Sequence, residues 1–575
     1  MSRKRPKTKP VASKTEAARP PWRFELWLKR HPRSIAAALI AIACIQIAAT
    51  YTVFSHTVDE PVHIAAGMEW LDKGVYRYEA QHPPLARVMS AIGPYLLGIR
   101  SQGREAQQEG TGILYSGGRY DRNLAASRLG ILPFFVVAAI TVYVWGNRAF
   151  GPPVAVMAVL LFTSLPPVLA HAGLSTTDMA LTAFLGAAFL SALLWAEHPS
   201  LKRSVVFGVT AALATLSKLS FLAFFPVCAA ASLVCYFAIH RATLRQRLRA
   251  LAANWIPYTR GFAVAAVVAA LIIWAGYRFS FTYSPFVGAR IPAPELFSGI
   301  QEVINHNKEG HATYLLGERS WSGFWYYYPV VLAVKTPLAF LALLLAGIVA
   351  CARKKLAGLW FPALAFPAGI LLVGLFSRIN IGVRHILPVY IGFAVIAAGG
   401  LAYLLDVARK AAWAKAAAGL LTLWLVAGSA LAHPDYLPYF NALAGSEPEK
   451  ILADSDLDWG QDMKRLSRRL RELGATEVTF APFVWAEYEK EHGFPRMLAV
   501  DPTAPSPGWN VVSITVWKVA RMGLLKSHPE LTPWPDYIRV KPRERVGSSF
   551  LLWYFAPAQP GAGGVPGSAG YSTPK

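Results

Sequence analysis

The sequence predicts an all-α polytopic membrane protein that carries a small α/β domain toward its C-terminal end. The chain is 54% hydrophobic and only 16% charged, whereas soluble globular proteins carry about 25% charged residues. Long apolar runs fill the chain as far as residue 432 and are replaced after it by alternating strand and helix patterns. These two observations predict the fold class.

Eleven segments are apolar enough to be predicted as membrane-spanning helices, since a span needs about 20 apolar residues. They are residues 35–54, 129–145, 153–170, 179–195, 204–216, 219–239, 262–279, 329–350, 356–376, 386–405 and 412–432. The fifth is short, and only Ser217-Lys218 separates it from the sixth. A merged helix would be about 54 Å long and would exceed the bilayer, so we predict two separate spans. The first run shows no cleavage site and is expected to remain as an uncleaved span.

The distribution of charge predicts the orientation. The net charge of +24 lies before residue 433, because 16 basic residues balance 16 acidic ones after it. Residues 1–33 carry 11 basic residues and 2 acidic ones, as the positive-inside rule requires of a cytoplasmic segment. A nucleic-acid partner is not expected, since basic residues would then cluster on a folded domain. With eleven spans, Asp59, Asp178, Lys218, Arg384 and the C-terminal domain all face outward.

Four regions follow from this topology. We expect a basic cytoplasmic segment (1–33), a transmembrane domain (34–432) with a long first outer loop (55–128), an outer α/β domain (433–556) and a disordered tail (557–575). Helices are predicted at 63–72, 85–97 and 459–473, and strands at 450–453, 476–480, 510–517 and 550–555. The four cysteines lie in or at the ends of apolar runs, which argues against a disulfide framework or a thiolate metal site.

Acidic residues mark the predicted outer face. Asp59 and Glu60 follow the first apolar run by five residues. Such a pair either caps the next helix or, when desolvated at the membrane boundary, supplies a general base. Asp178 follows Ser175-Thr176-Thr177 between the third and fourth spans, where it is either a helix start or a second acid at the same depth.

Basic residues are predicted to lie at the same face. Arg384-His385 follows Gly382 and leads directly into an apolar span. Because arginine suits bidentate contact with phosphate, this pair indicates a phosphate site. Lys218 and Lys335 are predicted to snorkel from helix ends toward water.

A further acidic motif begins the C-terminal domain. Four acids fall within nine residues, at Asp454, Asp456, Asp458 and Asp462. Hard cations prefer such oxygen ligands, but the spacing differs from that of an EF-hand loop, and a helix start with several caps is an equal alternative.

These motifs form an ordered set that resembles one family. The set comprises Asp59-Glu60, residues 82–85, Asp178, Lys218, residues 380–388, residues 439–441 and residues 454–462. It is similar to the dolichyl-phosphate-mannose-protein mannosyltransferase superfamily, membrane glycosyltransferases of GT-C architecture that include bacterial aminoarabinose transferases. The resemblance is greatest to bacterial members with an exoplasmic C-terminal domain. Asp456 stands where these relatives would have Asn.

The resemblance implies transfer of a sugar from a polyprenyl-phosphate donor to a hydroxyl of a protein, glycan or lipid, with inversion, at the outer face of the bacterial inner membrane. It implies Asp59 as the general base, with Glu60 and Asp178 as further catalytic residues. The residues expected to bind substrate are His82, Lys218, Arg384, His385, Asp458, Trp459 and Gln461. No cofactor is implied with certainty, and the need for a divalent cation is left open because family members differ.

Other functions fit part of the sequence. The acceptor is open among protein serine or threonine, a lipid-linked glycan and a lipid A sugar phosphate. A polytopic transporter or lipid-linked glycan flippase also has many spans, but such folds often show paired repeats and charges near the midplane, and neither is visible here. A non-catalytic assembly protein that uses the fold as a scaffold is the third alternative.

Overall fold

The computed structural model describes residues 29–354, 360–408, 411–481, 492–499, 505–520 and 540–557. The predicted cytoplasmic segment, except for its last five residues, and the predicted disordered tail from residue 558 onward lie outside the described residues.

Each of the eleven segments predicted to span the membrane coincides with a helix or with a pair of helices. Proline occupies the first turn of several helices in the chain, where its missing N–H costs no hydrogen bond. The α-helices up to residue 431 are Pro32–Ala48, Glu60–Lys73, Pro84–Leu96, Ala106–Tyr115, Tyr120–Leu129, Leu132–Phe150, Pro152–Thr163, Pro166–Ala172, Asp178–Glu197, Leu201–Ser217, Phe221–Ile239, Leu244–Ala253, Trp255–Gly276, Pro294–Glu309, Tyr327–Lys335, Leu338–Lys354, Trp360–Phe376, Val389–Val407 and Ala412–Leu431.

Among the described residues, six helices are long and apolar enough to cross a membrane, or up to eight if each of two bent pairs is one span. The six are Tyr120–Phe150, Asp178–Glu197, Phe221–Ile239, Trp255–Gly276, Val389–Val407 and Ala412–Leu431. The predicted total of eleven is reached only by counting three shorter helices as well: Pro32–Ala48, Leu201–Ser217 and Trp360–Phe376. The prediction of a polytopic helical membrane protein is confirmed.

The two bent pairs break at proline. Pro152–Thr163 and Pro166–Ala172 meet at 69°, and Tyr327–Lys335 and Leu338–Arg353 meet at 114°. A proline disfavours the helical conformation of the residue before it, and Thr336 before Pro337 is extended. The predicted break at Lys218 is confirmed, because this residue is extended between two separate helices.

The first loop folds as helices packed on one another. The predicted helices at 63–72 and 85–97 are confirmed as Glu60–Lys73 and Pro84–Leu96. They approach closely, since a Cβ at Gly67 would lie 1.9 Å from the backbone oxygen of Arg87. The sequence analysis did not predict the helices Ala106–Tyr115 and Tyr120–Leu129, which complete this layer.

A five-stranded mixed sheet forms the C-terminal region. Its strand order is Arg496–Leu498, Glu477–Ala481, Gly508–Ser513, Phe550–Phe555 and Glu544–Val546. The first three strands run parallel to one another. Phe550–Phe555 pairs antiparallel with both of its neighbours, Gly508–Ser513 and Glu544–Val546. The amphipathic helix Met463–Glu472 packs on this sheet through Leu466 and Leu470.

Three of the predicted strands and the predicted helix have counterparts here, although the strand predicted at 510–517 ends at Ser513. The strand predicted at 450–453 is wrong. The 3₁₀ turn Pro448–Lys450 extends into that stretch, and the backbone N–H of Leu452 donates to the oxygen of Pro448. Two short strands, Arg496–Leu498 and Glu544–Val546, were not predicted. Two separate hairpins, Phe281–Ser284 with Ala289–Pro292 and Thr313–Leu315 with Glu318–Ser320, lie between the membrane helices.

Buried polar contacts connect the C-terminal region to the break at Pro337. The amide of Asn441 donates to the backbone oxygens of Ala333 and Thr336, which the interrupted helix leaves without partners. The Lys335 ammonium donates to the backbone oxygens of Leu437 and Asp456 at 2.7 and 2.6 Å. Lys335 is therefore buried within the protein, and the prediction that it snorkels toward water is wrong.

Candidate functional site

A large cavity lies where the first-loop helices, the membrane helices and the C-terminal region meet. It encloses about 1370 Å³. One part of its wall is polar and contains Asp59, His63, Glu79, His82, Lys218, His311, Arg384, His385, Asp454 and Thr515. Another part is apolar and contains Leu219, Leu222, Phe224, Val303, Ile304, Val373, Phe376 and Ile386. The cavity can therefore accept a molecule with a polar head and a hydrocarbon chain.

An ion pair between distant residues lies in the polar wall. Asp59 directly precedes the helix Glu60–Lys73, and Arg384 lies in the 3₁₀ turn Val383–Ile386. The Arg384 Nη1 atom donates to Asp59 Oδ2 at 2.8 Å, and the guanidinium lies 4.2 Å from the centre of the Trp459 ring. The aromatic face holds the cation in place from one side. A third of the Asp59 side chain is exposed, whereas Arg384 is nearly buried.

A second ion pair lies behind this wall. The Lys218 ammonium contacts Asp178 Oδ1 at 2.6 Å, and Arg384 Nη1 lies 4.0 Å from Asp178 Oδ2. Among the described residues, Asp178 Oδ2 has no hydrogen-bond donor. Lys218 lines the cavity, while Asp178 is buried behind it. Asp178 thus fixes both cations of the site from the protein side.

The structure does not bring Glu60 to the cavity. This carboxylate is completely buried and accepts from Arg128 Nε at 2.9 Å and Nη2 at 2.8 Å. It also accepts from the backbone N–H groups of Thr57 and Ser175. Burial on its own raises the pKa of Glu60, but Arg128 and these hydrogen bonds outweigh it and hold that pKa below the ordinary value. Its catalytic role stays a prediction, while its geometry ties three chain segments together.

His82 lines the cavity within a cluster that also contains His63, Glu79 and Arg87. Its Nδ1 atom lies 3.0 Å from Glu79 Oε1. Burial lowers the pKa of both His63 and His82 and outweighs Glu79, which raises it; the Arg87 charge lowers it further. Both rings therefore line the cavity in their neutral form.

A metal ion does not fit this cluster as it stands. His63, Glu79 and His82 form the one group among the described residues with three candidate ligand atoms within 4.8 Å of one another. However, the Arg87 guanidinium donates to His63 Nδ1 at 3.0 Å and also to Glu79. A cation in this place would have to displace a buried arginine, so no step below involves a metal.

His385 lies in the polar wall beside Arg384. Burial lowers its pKa well below the ordinary value, and the charges of Lys218 and Arg384 lower it further. A neutral imidazole there contributes a donor and an acceptor without adding a charge.

The acidic motif separates into residues with different partners, so its carboxylates do not form one cation site. Asp458 accepts from Ser513 Oγ and from the backbone N–H of Thr515, and Asp462 accepts from Ser548 and Ser549. Asp456 accepts from the backbone N–H of Val383 at 3.0 Å.

Of the motif residues expected to bind substrate, Trp459 lines the cavity beneath Arg384. Asp458 and Gln461 do not lie in its wall. Both are buried, and the Gln461 amide donates to Leu457 and Ser549. Their predicted contact with substrate stays a prediction.

Sequence reasoning did not assign several residues of the polar wall, nor Arg128, which supports Glu60 outside the cavity. Asp454 lines the cavity although it was not singled out from its neighbours, and His311 lies in the same wall. Arg128, the buried partner of Glu60, stands immediately before a predicted span. A charged residue directly at an apolar boundary was the available signal for Arg128.

Comparisons with known proteins retrieve membrane glycosyltransferases of GT-C architecture. ArnT from Cupriavidus metallidurans bound to undecaprenyl phosphate is 15% identical, with a TM-score of 0.48 over 90% of this chain and 97% of that one. The oligosaccharyltransferase AglB from Archaeoglobus fulgidus, in complex with an inhibitory peptide and a dolichol-phosphate, is 13% identical, with a TM-score of 0.47 over 85% of this chain and 70% of that one.

The Archaeoglobus fulgidus enzyme tethered with an acceptor peptide is similar at 13% identity and a TM-score of 0.49, over 85% of this chain and 70% of that one. No family model matches this chain, and no curated protein matches it. The class that the sequence resemblance named is thus also the class of these structures. The proposal that follows rests on the cavity of this chain.

Proposed function

We propose that this protein is a membrane glycosyltransferase that moves a sugar from a polyprenyl-phosphate donor to an acceptor hydroxyl. One observation carries the proposal: a carboxylate, a lysine and an arginine converge in a cavity that continues into an apolar wall. A lipid-linked phosphate has the matching parts, since its isoprenoid chain suits the apolar wall and its phosphate suits Lys218 and Arg384.

The reaction follows from the placement of these charges. Asp59 accepts the proton of the acceptor hydroxyl, whose oxygen attacks the anomeric carbon as the bond from that carbon to the phosphate oxygen breaks. Attack from the face opposite the phosphate inverts the configuration. The lipid phosphate departs with one additional negative charge, which Arg384 and Lys218 offset. Asp178 holds Lys218 by a 2.6 Å contact and lies 4.0 Å from Arg384, so its charge keeps both cations near the site.

Arg384 has a second part in this scheme. In the structure it is bonded to Asp59, and its other acidic neighbour, Asp178 Oδ2, lacks a donor among the described residues. A phosphate that draws Arg384 away from Asp59 would leave this carboxylate open to the acceptor hydroxyl. Donor binding therefore prepares the base.

We further propose that the site faces the outside of the cell membrane, with the chain's N-terminal segment in the cytoplasm and its C-terminal domain, residues 433–556, outside. The charge distribution along the sequence supports this orientation. Nucleotide sugars are made in the cytoplasm, and an outward-facing transferase therefore needs a sugar that a lipid carries across. The acceptor is a hydroxyl of a protein, glycan or lipid.

The test is transfer of radiolabelled sugar from polyprenyl-phosphate sugars into membrane extracts. Asp59→Asn should lower transfer by about 10²- to 10⁴-fold, the usual effect of a general base, while binding of the donor persists. Asp72→Asn is the matched control, because Asp72 lies on the helix that directly follows Asp59 but is exposed and outside the cavity. Unchanged transfer by Asp59→Asn would show that Asp59 is not the base. If the wild type consumes no polyprenyl-phosphate sugar, the proposed function is wrong.

A further inference from the structure

Asp454 is the residue of the acidic motif that faces the cavity. Its Oδ1 atom accepts from the backbone N–H of Ser455 at 2.6 Å. Among the described residues, no donor reaches Oδ2, and the residue is partly exposed toward the cavity. One carboxylate oxygen is therefore available to a bound molecule, whereas both oxygens of Asp458 and of Asp462 accept from protein donors. The Oδ2 atom of Asp456 has no donor among the described residues, but it is buried and outside the cavity lining.

Neighbouring groups fix the position of Asp454. Its backbone N–H donates to Thr515 Oγ1 at 3.1 Å. Thr515 is itself held by Asp458, since its N–H donates to Asp458 Oδ2 and its hydroxyl to the Asp458 backbone oxygen. The backbone of Asp454 has a φ of 59°, in the left-handed region that residues other than glycine seldom adopt. The surrounding bonds thus hold this side chain where its free oxygen enters the cavity.

The electrostatic contacts of Arg384 place Asp454 in the same polar wall as Asp59 and the phosphate-binding cation. Leu219 and Leu222 follow Lys218 closely in the chain and also line the cavity, so apolar lining begins next to the first cation. Arg384, the second cation, interacts electrostatically with Asp59 and with Asp454. A donor whose chain occupies the apolar wall and whose phosphate contacts Lys218 and Arg384 therefore directs its sugar past Arg384. Asp454 and Thr515 belong to the lining of the same cavity.

We propose that Asp454 recognises the sugar of the lipid-linked donor by accepting a hydrogen bond from one of its hydroxyls. This inference rests on the proposed function and deepens it, because it assigns a residue that distinguishes a glycosylated lipid phosphate from a bare one. A carboxylate is an acceptor with several lone pairs, and bonds to a charged acceptor are among the stronger hydrogen bonds. Asp454 would contact the sugar directly. Asp458 would affect sugar binding only indirectly, because it positions Thr515, which in turn holds Asp454.

The electrostatic surroundings agree with this role. Burial raises the pKa of Asp454, whereas Arg384 and His311 act in the opposite direction and Asp59 adds to the rise. A carboxyl group in this setting is compatible with a nearby phosphate, because the Arg384 charge that offsets Asp454 would also offset the phosphate. A hydrogen bond from the sugar hydroxyl to Asp454 Oδ2 replaces the one that water would otherwise donate to this atom.

The test compares two probes on the full-length protein in detergent: bare polyprenyl phosphate and polyprenyl phosphate carrying mannose, glucose or galactose. The glycosylated lipid that the wild type binds most tightly is used for all variants. Asp454→Ala should lower the affinity for this lipid by about tenfold or more, the usual effect of losing a hydrogen bond to a charged group. Its affinity for bare polyprenyl phosphate should stay within twofold of wild type.

Two further variants separate the explanations. Arg384→Gln should lower the affinity for both lipids by the same factor, because it removes a contact with the phosphate that both lipids carry. Asp454→Asn keeps an acceptor oxygen and should recover part of the preference for the glycosylated lipid. The inference is overturned if Asp454→Ala keeps the full wild-type preference for the glycosylated lipid over the bare one. It is also overturned if this variant loses affinity for both lipids equally. If the wild type binds neither lipid, the proposed function falls, and this inference falls with it.

Discussion

The buried pair of Glu60 and Arg128 gives the sharpest test of what the first acidic motif does. We predict that Glu60→Gln destabilises the fold and that any loss of transfer follows from this destabilisation. The side chains of Glu60 and Arg128 are 0% and 1% exposed, and two hydrogen bonds of 2.8 and 2.9 Å join them. Glutamine has the same shape but carries no charge, so the guanidinium stays buried without a counter-ion.

The expected magnitude follows from this burial. Breaking a buried pair by removing one partner costs about 3–5 kcal/mol, a large part of the 5–15 kcal/mol that stabilises a typical domain. The glutamine amide would also direct a donor toward Thr57, Ser175 or Arg128, which all donate to Glu60 at present. The double variant Glu60→Gln with Arg128→Met should regain much of the loss, because no uncompensated charge remains.

Thermal unfolding of the purified protein in detergent provides the measurement, with Asp59→Asn as the neighbouring control. Because the folded state holds the pKa of Glu60 below its ordinary value of 4.5, the pair's contribution is present above pH 4.5 and is lost as the pH falls toward the folded pKa. The difference between wild type and Glu60→Gln should shrink in that range. A Glu60→Gln protein that unfolds like wild type but transfers no sugar would refute this reasoning and support a catalytic Glu60.

Three further predictions follow from the structure. Asp456→Ala should lower turnover in the transfer assay about tenfold, because it leaves the buried N–H of Val383, next to Arg384, without an acceptor, at a cost of about 1–3 kcal/mol. Asp456→Asn keeps an acceptor oxygen and should match wild type in the same assay. Gly400→Ala should lower the unfolding temperature, because its Cβ would lie 2.1 Å from the Leu343 oxygen and overpacking costs about 1–3 kcal/mol; Gly419→Ala, with open space around it, should not. Reporter fusions after residues 249 and 433 should report cytoplasm and exterior respectively, and a cytoplasmic signal from the second would contradict the topology.

Much of the helical architecture was predictable because apolar composition is a local property. Each run predicted to span the membrane coincides with a helix or a pair of helices, and the break at Lys218 was predicted. The break at Pro337, inside the span predicted at 329–350, was not. What the sequence did not reveal is the length of each helix after bending. In the described part of the chain, six to eight helices meet the length and composition of a span instead of eleven.

The C-terminal sheet shows where local patterns fail. The strands Glu477–Ala481 and Phe550–Phe555 carry enough apolar and β-branched residues to be predicted from sequence. Edge strands of three residues, such as Arg496–Leu498 and Glu544–Val546, exist because a neighbouring strand supplies hydrogen bonds. Their own sequences contain too little pattern to predict them.

The sequence by itself determined that this is a polytopic helical membrane protein and which charged residues cluster near the ends of its helices. Only the tertiary structure decided how those charges pair, because ion pairs depend on contacts between distant segments: Asp59 and Arg384 are 325 positions apart. It also separated residues that the sequence presents as equivalent. Glu60 lies buried against Arg128, while its neighbour Asp59 faces the cavity. Asp454, with a left-handed backbone, lines the cavity, whereas Asp458, four residues later, is buried and holds Thr515 in place.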